Sequence, residues 1–448
     1  MFNDTSEALD YGKRAVQAAL DAGATQAEAS ISIVDRFSCE ARAAVVTKLE
    51  QSTGRSMHMR VFVDGRKATL ATSDFSEDRM REAVRRAVAQ ARFVAEDKFA
   101  LLPEAQNGES DDRDDLDLFS DDVAGRKADE KIAEALDLER AIREQDKRIS
   151  NSNGSHCGDS VSTHVLVNSS GFAGGYRSTR VHRSTQPVGE DNGNKRTGSY
   201  GSAARRLGDL EDPKVVAQKA VERTVGLFGA RKPQTMRTPV IFERDVAASI
   251  LSDLLAALSA SNVAVGNSWL AERMGDKIGS DLVAIVDDGT MPGLLGSSPF
   301  DGEGVPTRRT PVFERGTLRS FLYDSYYARK LGAKTTGNST GGGIGPNNFY
   351  LEPGKGSLAE LIAKTPRGVL VMDTIGFATE YASGTYSRGA RGFWIENGEI
   401  AYPIEEFTIA STFGQMLEGI DAVAGDLIFD GAVCSPSFRI AEMTLSGD

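Results

Sequence analysis

Histidine and cysteine are both scarce in this chain of 448 residues. There are four histidines, and none of them lies after residue 182. The three cysteines, Cys39, Cys157 and Cys434, are too few and too widely spaced to make a disulfide framework. Such cysteine usage is typical of cytosolic proteins, and we predict a cytoplasmic location.

Basic residues are fewer than acidic ones, 52 against 64, which gives a formal net charge of −12. An acidic surface repels phosphate backbones and anionic lipids, so we predict neither a nucleic-acid nor a membrane partner; a local basic patch is left open. The N-terminal residues MFNDTSEALDYG contain no basic region followed by an apolar run, which argues against a signal peptide. The best membrane candidate, residues 246–266, is interrupted by Asp253 and several serines, and a buried helix is the prediction there.

The rest of the composition is that of a globular protein, with 40% hydrophobic and 26% charged residues. We predict an α+β fold with two N-terminal α/β modules and a glycine-rich, mostly antiparallel β C-terminal domain. The predicted boundaries are 1–108, 109–230 after an acidic linker, and 231–448. Many of the 46 glycines fall in the third region, where short strand patterns follow one helix.

Local patterns place the elements of the first two modules. Helical spacing covers 5–22, strand patterns cover about 26–45 and 55–72, and Ser76 is the predicted cap of a second helix. Residues 105–117 are predicted to be a solvated linker. The second module is predicted to have a helix around 126–148, strands around 161–168, 175–188 and 196–206, and a helix opened by Asp212-Pro213.

Two motifs were weighed for chemistry and set aside. Gly337–Gly341 matches G-x-S-x-G, but the glycines and proline that follow cannot begin a helix, and no histidine lies downstream. A flexible loop is the prediction there, with a lid or a cleft wall as the alternative. His156, Cys157, His164 and His182 do not have zinc-ligand spacing, and they are predicted to be ordinary partly exposed residues, with a fortuitous site on neighbouring strands as the alternative.

Two longer segments carry a family resemblance. They are residues 386–406, YSRGARGFWIENGEIAYPIEE with an Asn397-Gly398 turn, and residues 297–309, SSPFDGEGVPTRR. Together they resemble the TldD/PmbA family, specifically its PmbA (TldE) branch, whose members are subunits of a bacterial and archaeal metalloprotease. The resemblance is strong over residues 240–440 and weak over the rest of the chain.

The resemblance implies a degenerate metal motif. In the catalytic TldD branch one helix carries H-E-x-x-x-H, and a cysteine near the C-terminus completes a zinc site. Here Ser252 and Ala257 stand at the two histidine positions, and Asp253 stands at the glutamate position. We therefore expect no metal and no catalytic residue in this chain. Cys434 lies near the position of the cysteine, either as a relic ligand or as a small buried thiol.

The same resemblance implies candidates for a substrate cleft or an interface. Phe300 and Asp301 belong to the family's PFD-x-EG stretch, which is either a structural brace, with Asp301 and Glu303 pairing with Arg308 or Arg309, or a subunit or peptide contact. Ser387, Arg388 and Gly389 are the other candidates. The Arg388 guanidinium suits a carboxylate or backbone carbonyls, and the adjacent glycine suggests the approach of a peptide as an added strand.

The expected function follows from this resemblance. The chain would be the metal-free subunit of a heteromeric protease that cleaves short or unfolded peptides, with zinc supplied by a TldD-like partner. A homodimer is expected when that partner is absent, through edges of the C-terminal domain. A non-enzymatic peptide-binding or regulatory protein is the alternative, and a self-sufficient hydrolase with an unrecognised site is a third possibility.

Overall fold

A computed structural model describes residues 5–104, 114–376 and 379–448. Its helices and strands up to residue 230 are α1 (Thr5–Asp21), β1 (Gln26–Arg42), β2 (Val45–Val63), β3 (Arg66–Thr72), α2 (Glu77–Ala91), α3 (Asp121–Ala124), α4 (Ala128–Gln145), β4 (Ile149–Asn168), β5 (Ala173–Asp191), β6 (Asn194–Thr197), β7 (Tyr200–Ala204) and α5 (Pro213–Val225). Most of the predicted linker lies outside the described residues, as does the predicted boundary at 108/109.

The C-terminal region alternates short helices with strands. Its elements are β8 (Met236–Phe242), α6 (Arg244–Leu258), α7 (Ala260–Ala264), β9 (Ile285–Asp288), β10 (Arg309–Glu314), β11 (Thr317–Leu318), α8 (Ser325–Leu331), β12 (Phe349–Leu351), α9 (Leu358–Ala363), β13 (Arg367–Ile375), β14 (Thr379–Glu380), β15 (Thr385–Glu396), β16 (Glu399–Thr412), α10 (Phe413–Gly419), β17 (Ile420–Val423), β18 (Val433–Cys434) and β19 (Phe438–Ser446). The α+β prediction is confirmed.

One antiparallel sheet runs through both N-terminal modules, in the order β3-β2-β1-β4-β5-β6, with β7 also paired to β5. The modules meet where β1 pairs with β4, for example at Cys39 and Cys157. Helices α1 and α2 cover one part of the sheet, and α4 and α5 cover another. The two modules predicted from the sequence therefore share a single sheet.

Strand β4 begins at Ile149, twelve residues before the strand predicted at 161. The missed segment is rich in serine, asparagine and glycine, residues that are uncommon in strands. Two of its serines are nevertheless buried, because Ser152 and Ser155 donate hydrogen bonds to the Glu139 carboxylate of α4 at 2.8–2.9 Å. In this segment, buried polar side chains that contact a helix take the place of the alternating apolar residues found in most strands.

The C-terminal sheet closes into a barrel, since β13-β8-β19-β16-β15 form a continuous order and β13 also pairs with β15. Closure brings the backbones of β13 and β15 very close to each other. A Cβ atom at Gly392 would lie 1.9 Å from the Leu370 carbonyl oxygen. The predicted turn at Asn397-Gly398 is confirmed, with φ of 52° and 78° between β15 and β16. The closed sheet has few open edges, so the expected homodimer, which stays a prediction, would have to use other edges of this domain.

A second C-terminal sheet has the order β11-β10-β9-β12-β18. Residues 246–266, predicted to be buried helix, fall largely on α6 and α7, and the apolar side of α6 packs in the largest core cluster. Within the ranges that the structure describes, none of the helices is both long enough and apolar enough to cross a membrane.

Candidate functional site

Helix α6 carries the positions that the family resemblance singles out. The Glu243 carboxylate caps its first turn by accepting the Asp245 backbone N–H at 2.9 Å. One side of the helix is buried in the core through Val246, Ala247, Ile250, Leu251, Leu254, Ala257 and Leu258. The other side carries Ser249, Ser252 and Asp253, which are more exposed.

The two positions that replace histidines differ in environment. Ser252 is exposed, and its hydroxyl donates to the Ala248 carbonyl oxygen of the same helix at 3.1 Å. Ala257 is only 1% exposed and packs in the core. A hydroxyl bonded to its own helix and a buried methyl group offer no nitrogen ligand to a metal.

Asp253 pairs with Arg388, the residue proposed from sequence to contact a peptide. The Nη2 atom of Arg388 donates to Oδ2 of Asp253 at 2.6 Å, and the side chains are 13% and 14% exposed. A charge-assisted bond of this length is strong, and partial burial shields it from water. The residue at the catalytic-glutamate position is thus bound to a guanidinium.

Strand β15, which carries Ser387, Arg388 and Gly389, lies inside the barrel sheet. Gly389 pairs with Ile375 of β13 on one side and with Thr408 of β16 on the other. The expectation that a peptide adds as a strand beside this glycine is therefore wrong, because both edges are already paired. Arg388 can contact a ligand only through its side chain, which lines a cleft.

This cleft has a volume of about 560 Å³ and lies between the second N-terminal module and the barrel. Arg391 donates to Asp373 at 2.8 Å, and Arg223 lies 2.6 Å from Asp245. Both arginines line the cleft with Arg388. They come from α5 and β15, so no sequence spacing could have brought them together.

Tyr200 completes the wall of this cleft. Its ring lies 4.9 Å from the Arg223 guanidinium, and its hydroxyl accepts from Arg244 at 2.5 Å. Burial raises the pKa of this phenol, the first of several causes. The lining therefore combines paired arginines and hydroxyl groups with apolar side chains such as Leu227, Val246 and Met372, which suits a ligand with both polar and apolar groups, such as a peptide.

Family sequence models match nearly the whole chain. They are described as the PmbA/TldA metallopeptidase domain 1, central domain and C-terminal domain, and they match residues 27–91, 121–228 and 235–447. The chain belongs to the PmbA/TldD metallopeptidase family. It is 33% identical over 435 residues to a Metalloprotease PmbA homolog of Haemophilus influenzae, which covers 97% of this chain and 95% of that one.

Other PmbA/TldD relatives agree. Metalloprotease PmbA of Escherichia coli O157:H7 is 32% identical, covering 94% of this chain and 92% of that one. A solved structure from Bacteroides thetaiotaomicron, described as a candidate modulator of DNA gyrase, has a TM-score of 0.92 at 25% identity over 100% of both chains. TldE of Thermococcus kodakarensis shares the fold, with a TM-score of 0.88 at 22% identity over 98% of this chain and all of that one.

Cys434, near the position of the family's cysteine ligand, is a buried thiol on β18. It is 2% exposed, and its Sγ donates to the Gly431 carbonyl oxygen at 3.4 Å. Burial raises the pKa of this thiol to about 11. In the described part of the chain it belongs to no group of three or more His, Cys, Asp or Glu side chains that could hold a metal ion.

The PFD-x-EG stretch joins the C-terminal domain to the N-terminal sheet. Phe300 packs edge-on against Phe172 and Tyr176, with ring centroids 5.0 and 5.4 Å apart. Gly304 has a φ of 78°, and a Cβ there would lie 2.8 Å from the Phe172 ring. This glycine is needed for the loop to approach the sheet so closely.

The sequence had suggested that Asp301 and Glu303 pair with Arg308 or Arg309. In the structure both carboxylates have other partners. The Asp301 carboxylate accepts backbone N–H groups of Glu303, Val305 and Ser339 at 2.9–3.0 Å. Burial raises the pKa of Asp301 to about 7. Its role is to hold the loop in shape.

Glu303 instead binds an arginine of the N-terminal sheet. Arg60 donates to Glu303 at 2.9 Å and to Glu28 at 2.7 Å. Arg60 and Glu303 are 243 positions apart in sequence, so only the fold brings them together. Phe300, Asp301 and Glu303 thus brace one chain internally, which favours the structural interpretation of this motif.

The metal-capable cluster considered from sequence does not converge. His164 and His182 lie on the adjacent strands β4 and β5, but His164 is opposite Tyr176 and His182 is opposite Gly158. Burial lowers the pKa of both imidazoles. Cys157 faces the core beneath α4 and α5. Among the described residues, no group of three or more His, Cys, Asp or Glu side chains is placed to hold a metal ion.

Part of the glycine-rich segment that the sequence predicts to be a flexible loop is well buried. Asn338 and Asn347 donate their amide groups to the Asp287 carboxylate at 2.7 and 2.9 Å. All three residues are less than 9% exposed. Gly341 to Gly343 are exposed, so only the tip of this segment fits the loop prediction.

Proposed function

We propose that this chain is the metal-free subunit of a heteromeric zinc protease that cleaves short or unfolded peptides in the cytoplasm. Its partner would be a TldD-like subunit that supplies the zinc ion and the catalytic glutamate. The observation that carries the proposal is the Asp253–Arg388 ion pair on α6 and β15. The carboxylate of Asp253, at the position of the catalytic glutamate, is bound by the guanidinium of Arg388.

The residues around α6 do not fit zinc. A zinc site needs three or four strong ligands, usually imidazole nitrogens, thiolates or carboxylates. Ser252 and Ala257 supply none, Asp253 is engaged by Arg388, and the buried Cys434 would be a single ligand. We therefore assign no metal-dependent step to this chain.

The contribution we assign to the chain is positioning. Arg388 lines the 560 Å³ cleft while Asp253 fixes its guanidinium, so the remaining donors of Arg388 have a defined direction. A planar guanidinium suits backbone carbonyls or the carboxylate of a peptide. In a mixed complex, such a group would orient a peptide that extends across the subunit boundary.

A non-enzymatic peptide-binding or regulatory role is the second candidate. The cleft favours it, because its arginines and hydroxyl groups offer a peptide contacts that do not depend on a metal. The description of one structural relative as a candidate modulator of DNA gyrase fits this class as an indirect effect. A self-sufficient hydrolase is the third candidate, and it requires a nucleophile that we do not identify.

Co-purification with a TldD-like protein followed by peptide cleavage separates these candidates. The chain, the partner and their mixture would each be assayed with an unfolded peptide. Our proposal expects a stable complex and cleavage only in the mixture. Binding of peptide without any effect on cleavage would favour the regulatory role, and cleavage by this chain alone would favour a self-sufficient hydrolase.

A further inference from the structure

A groove between helices α1 and α2 is lined by arginine side chains, although the protein as a whole is acidic. It has a volume of about 420 Å³ and lies away from the α6 cleft. Arg81, Arg85 and Arg92 line one wall, and the α1 residue Asp21 lies on the other. The groove thus has three positive charges against one negative charge, while the chain as a whole has a net charge of −12.

Helical geometry explains why these three arginines converge. At about 100° per residue, positions 81, 85 and 92 fall within about 40° of one another around the axis of α2. Arg92 is the C-cap residue of that helix. Arg79 and Arg86 belong to the same helix but do not line the groove. The arginines that line the groove therefore all lie on one face of α2.

Among the described residues, the groove arginines have no acidic partner, unlike their neighbours. Arg79 and Arg86 both pair with Glu82, at 3.1 and 3.6 Å. In the part of the chain that the structure describes, neither Arg81, Arg85 nor Arg92 forms an ion pair. Like charges four positions apart on a helix repel each other, so Arg81 and Arg85 destabilise the protein unless an anion lies between them.

Small residues keep the groove open beneath these side chains. Its floor includes Ala18, Ala22 and Ala89. Gly23, just after α1, has a φ of 97°, and a Cβ there would lie 2.9 Å from Nη2 of Arg92. The side chain of Asp21 is already bound, since it accepts from the Gln17 amide at 2.8 Å. The three guanidinium groups are thus available to a ligand.

We propose that this groove binds an extended anion with two or more phosphoryl groups. Arginine binds phosphate through two parallel N–H donors, and its planar fork gives that contact its direction. With a rise of about 1.5 Å per residue, Arg81 and Arg85 are about 6 Å apart along the helix, and Arg92 is about 16 Å from Arg81. One phosphate does not span that distance, whereas a polyphosphate chain or adjacent lipid headgroups do.

This site is independent of the proposed protease function, because it shares no residue with the α6 cleft. The test uses the full-length protein and inorganic tripolyphosphate, titrated by calorimetry at constant ionic strength. The double variant R81Q/R85Q removes two groove charges. The control R79Q/R86Q removes two charges from the same helix outside the groove.

The expected result is saturable binding of one tripolyphosphate by the wild type. R81Q/R85Q should weaken binding by about tenfold or more, since each lost charge-assisted contact is worth more than a neutral hydrogen bond. R79Q/R86Q should change it by less than about threefold. Equal losses in both variants would overturn the proposal, because that result indicates non-specific attraction. If R81Q/R85Q does not fold, the single variants R81Q and R79Q provide the same comparison with one charge removed from each.

A second arm distinguishes a free polyphosphate from a lipid headgroup. Co-sedimentation with phosphatidylcholine vesicles that contain phosphatidic acid would be measured for the wild type and both double variants. Vesicle binding that R81Q/R85Q abolishes, without tripolyphosphate binding, supports the site and assigns it to headgroups. Tripolyphosphate binding alone supports it and assigns it to a soluble ligand. Saturable binding in neither arm overturns it.

Discussion

The guanidinium of Arg388 on β15 donates to the carboxylate of Asp253 on α6 at 2.6 Å, across 135 positions of sequence. Both side chains are mostly buried, so removing either charge leaves the other without its partner in a partly desolvated place. Removing one partner of such a pair lowers the stability of the folded protein, so each side chain depends on the other. Asp253 therefore positions Arg388.

Replacing Arg388 by alanine should lower peptide cleavage in a mixed complex with a TldD-like partner. Loss of orientation alone can cost on the order of a hundredfold in rate. The partner's zinc content should not change, and elemental analysis of the purified complex provides that control. Unchanged cleavage by the Arg388→Ala complex would show that this side chain does not orient the peptide.

Asp253→Asn gives a different result if our assignment is right. It should reduce stability by roughly 1–3 kcal/mol through the unpaired Arg388, measured by urea unfolding. It should lower cleavage less than Arg388→Ala does, because the asparagine side-chain oxygen can still accept from the Arg388 guanidinium and the catalytic glutamate would reside in the partner. Abolished cleavage with assembly and zinc intact would make this chain catalytic and contradict our assignment.

The isolated chain should bind no stoichiometric zinc. Ser252 and Ala257 supply no imidazole to α6, and Cys434 alone would be one ligand where a zinc site needs three or four. Metal analysis of protein purified without chelator should give well under one zinc per chain. One tightly held zinc per chain would contradict this, and the Cys434→Ser variant would then show whether the thiol is a ligand.

Arg60 should be important for the contact between the N-terminal sheet and the C-terminal domain. It is largely buried between Glu28 and Glu303, at 15% exposure, and binds both. Arg60→Met should cost about 3 kcal/mol of unfolding free energy, because two buried carboxylates lose the cation that binds them both. Arg66→Met is the matched control, since Arg66 lies nearby and pairs with the exposed Glu96. Its effect should be below about 1 kcal/mol.

Local chemistry was predictable from the sequence. The turn at Asn397-Gly398 and the helix opened by Asp212-Pro213 formed as predicted, because each depends on a few adjacent residues. Ser76 also precedes α2, although its side chain makes no capping hydrogen bond. Such features need only backbone conformations that specific residue types favour.

Long-range pairing was not predictable. The β1–β4 ladder that unites the two modules, the closure of the barrel and the Arg60–Glu303 contact each join distant segments. No local pattern encodes which distant strand or acid becomes the partner. The same limit applies to the ion pair of Arg388. The guanidinium was recognised from the sequence as a candidate for peptide contact, but its partner Asp253 was assigned to the degenerate metal motif.

Stability should also respond to pH through Asp301. Burial raises the pKa of this carboxyl to about 7 in the folded protein, above the value of about 3.9 expected in the unfolded chain. Between those two values the folded state holds a proton that the unfolded state has released. Stability linked to this group is therefore fully present below pH 4 and is lost as the pH rises towards 7.

Urea unfolding of the wild type and of Asp301→Asn between pH 4 and pH 8 isolates this contribution. An amide cannot ionise, so the stability advantage of the wild type over the variant should shrink with rising pH. A pKa difference of about three units sets an upper limit of roughly 4 kcal/mol on this change. The value of about 7 already includes the three backbone N–H groups that the carboxylate accepts, which favour its charged form and oppose burial. A stability difference that grows with pH would mean that these N–H groups outweigh burial and that Asp301 is ionised in the folded loop.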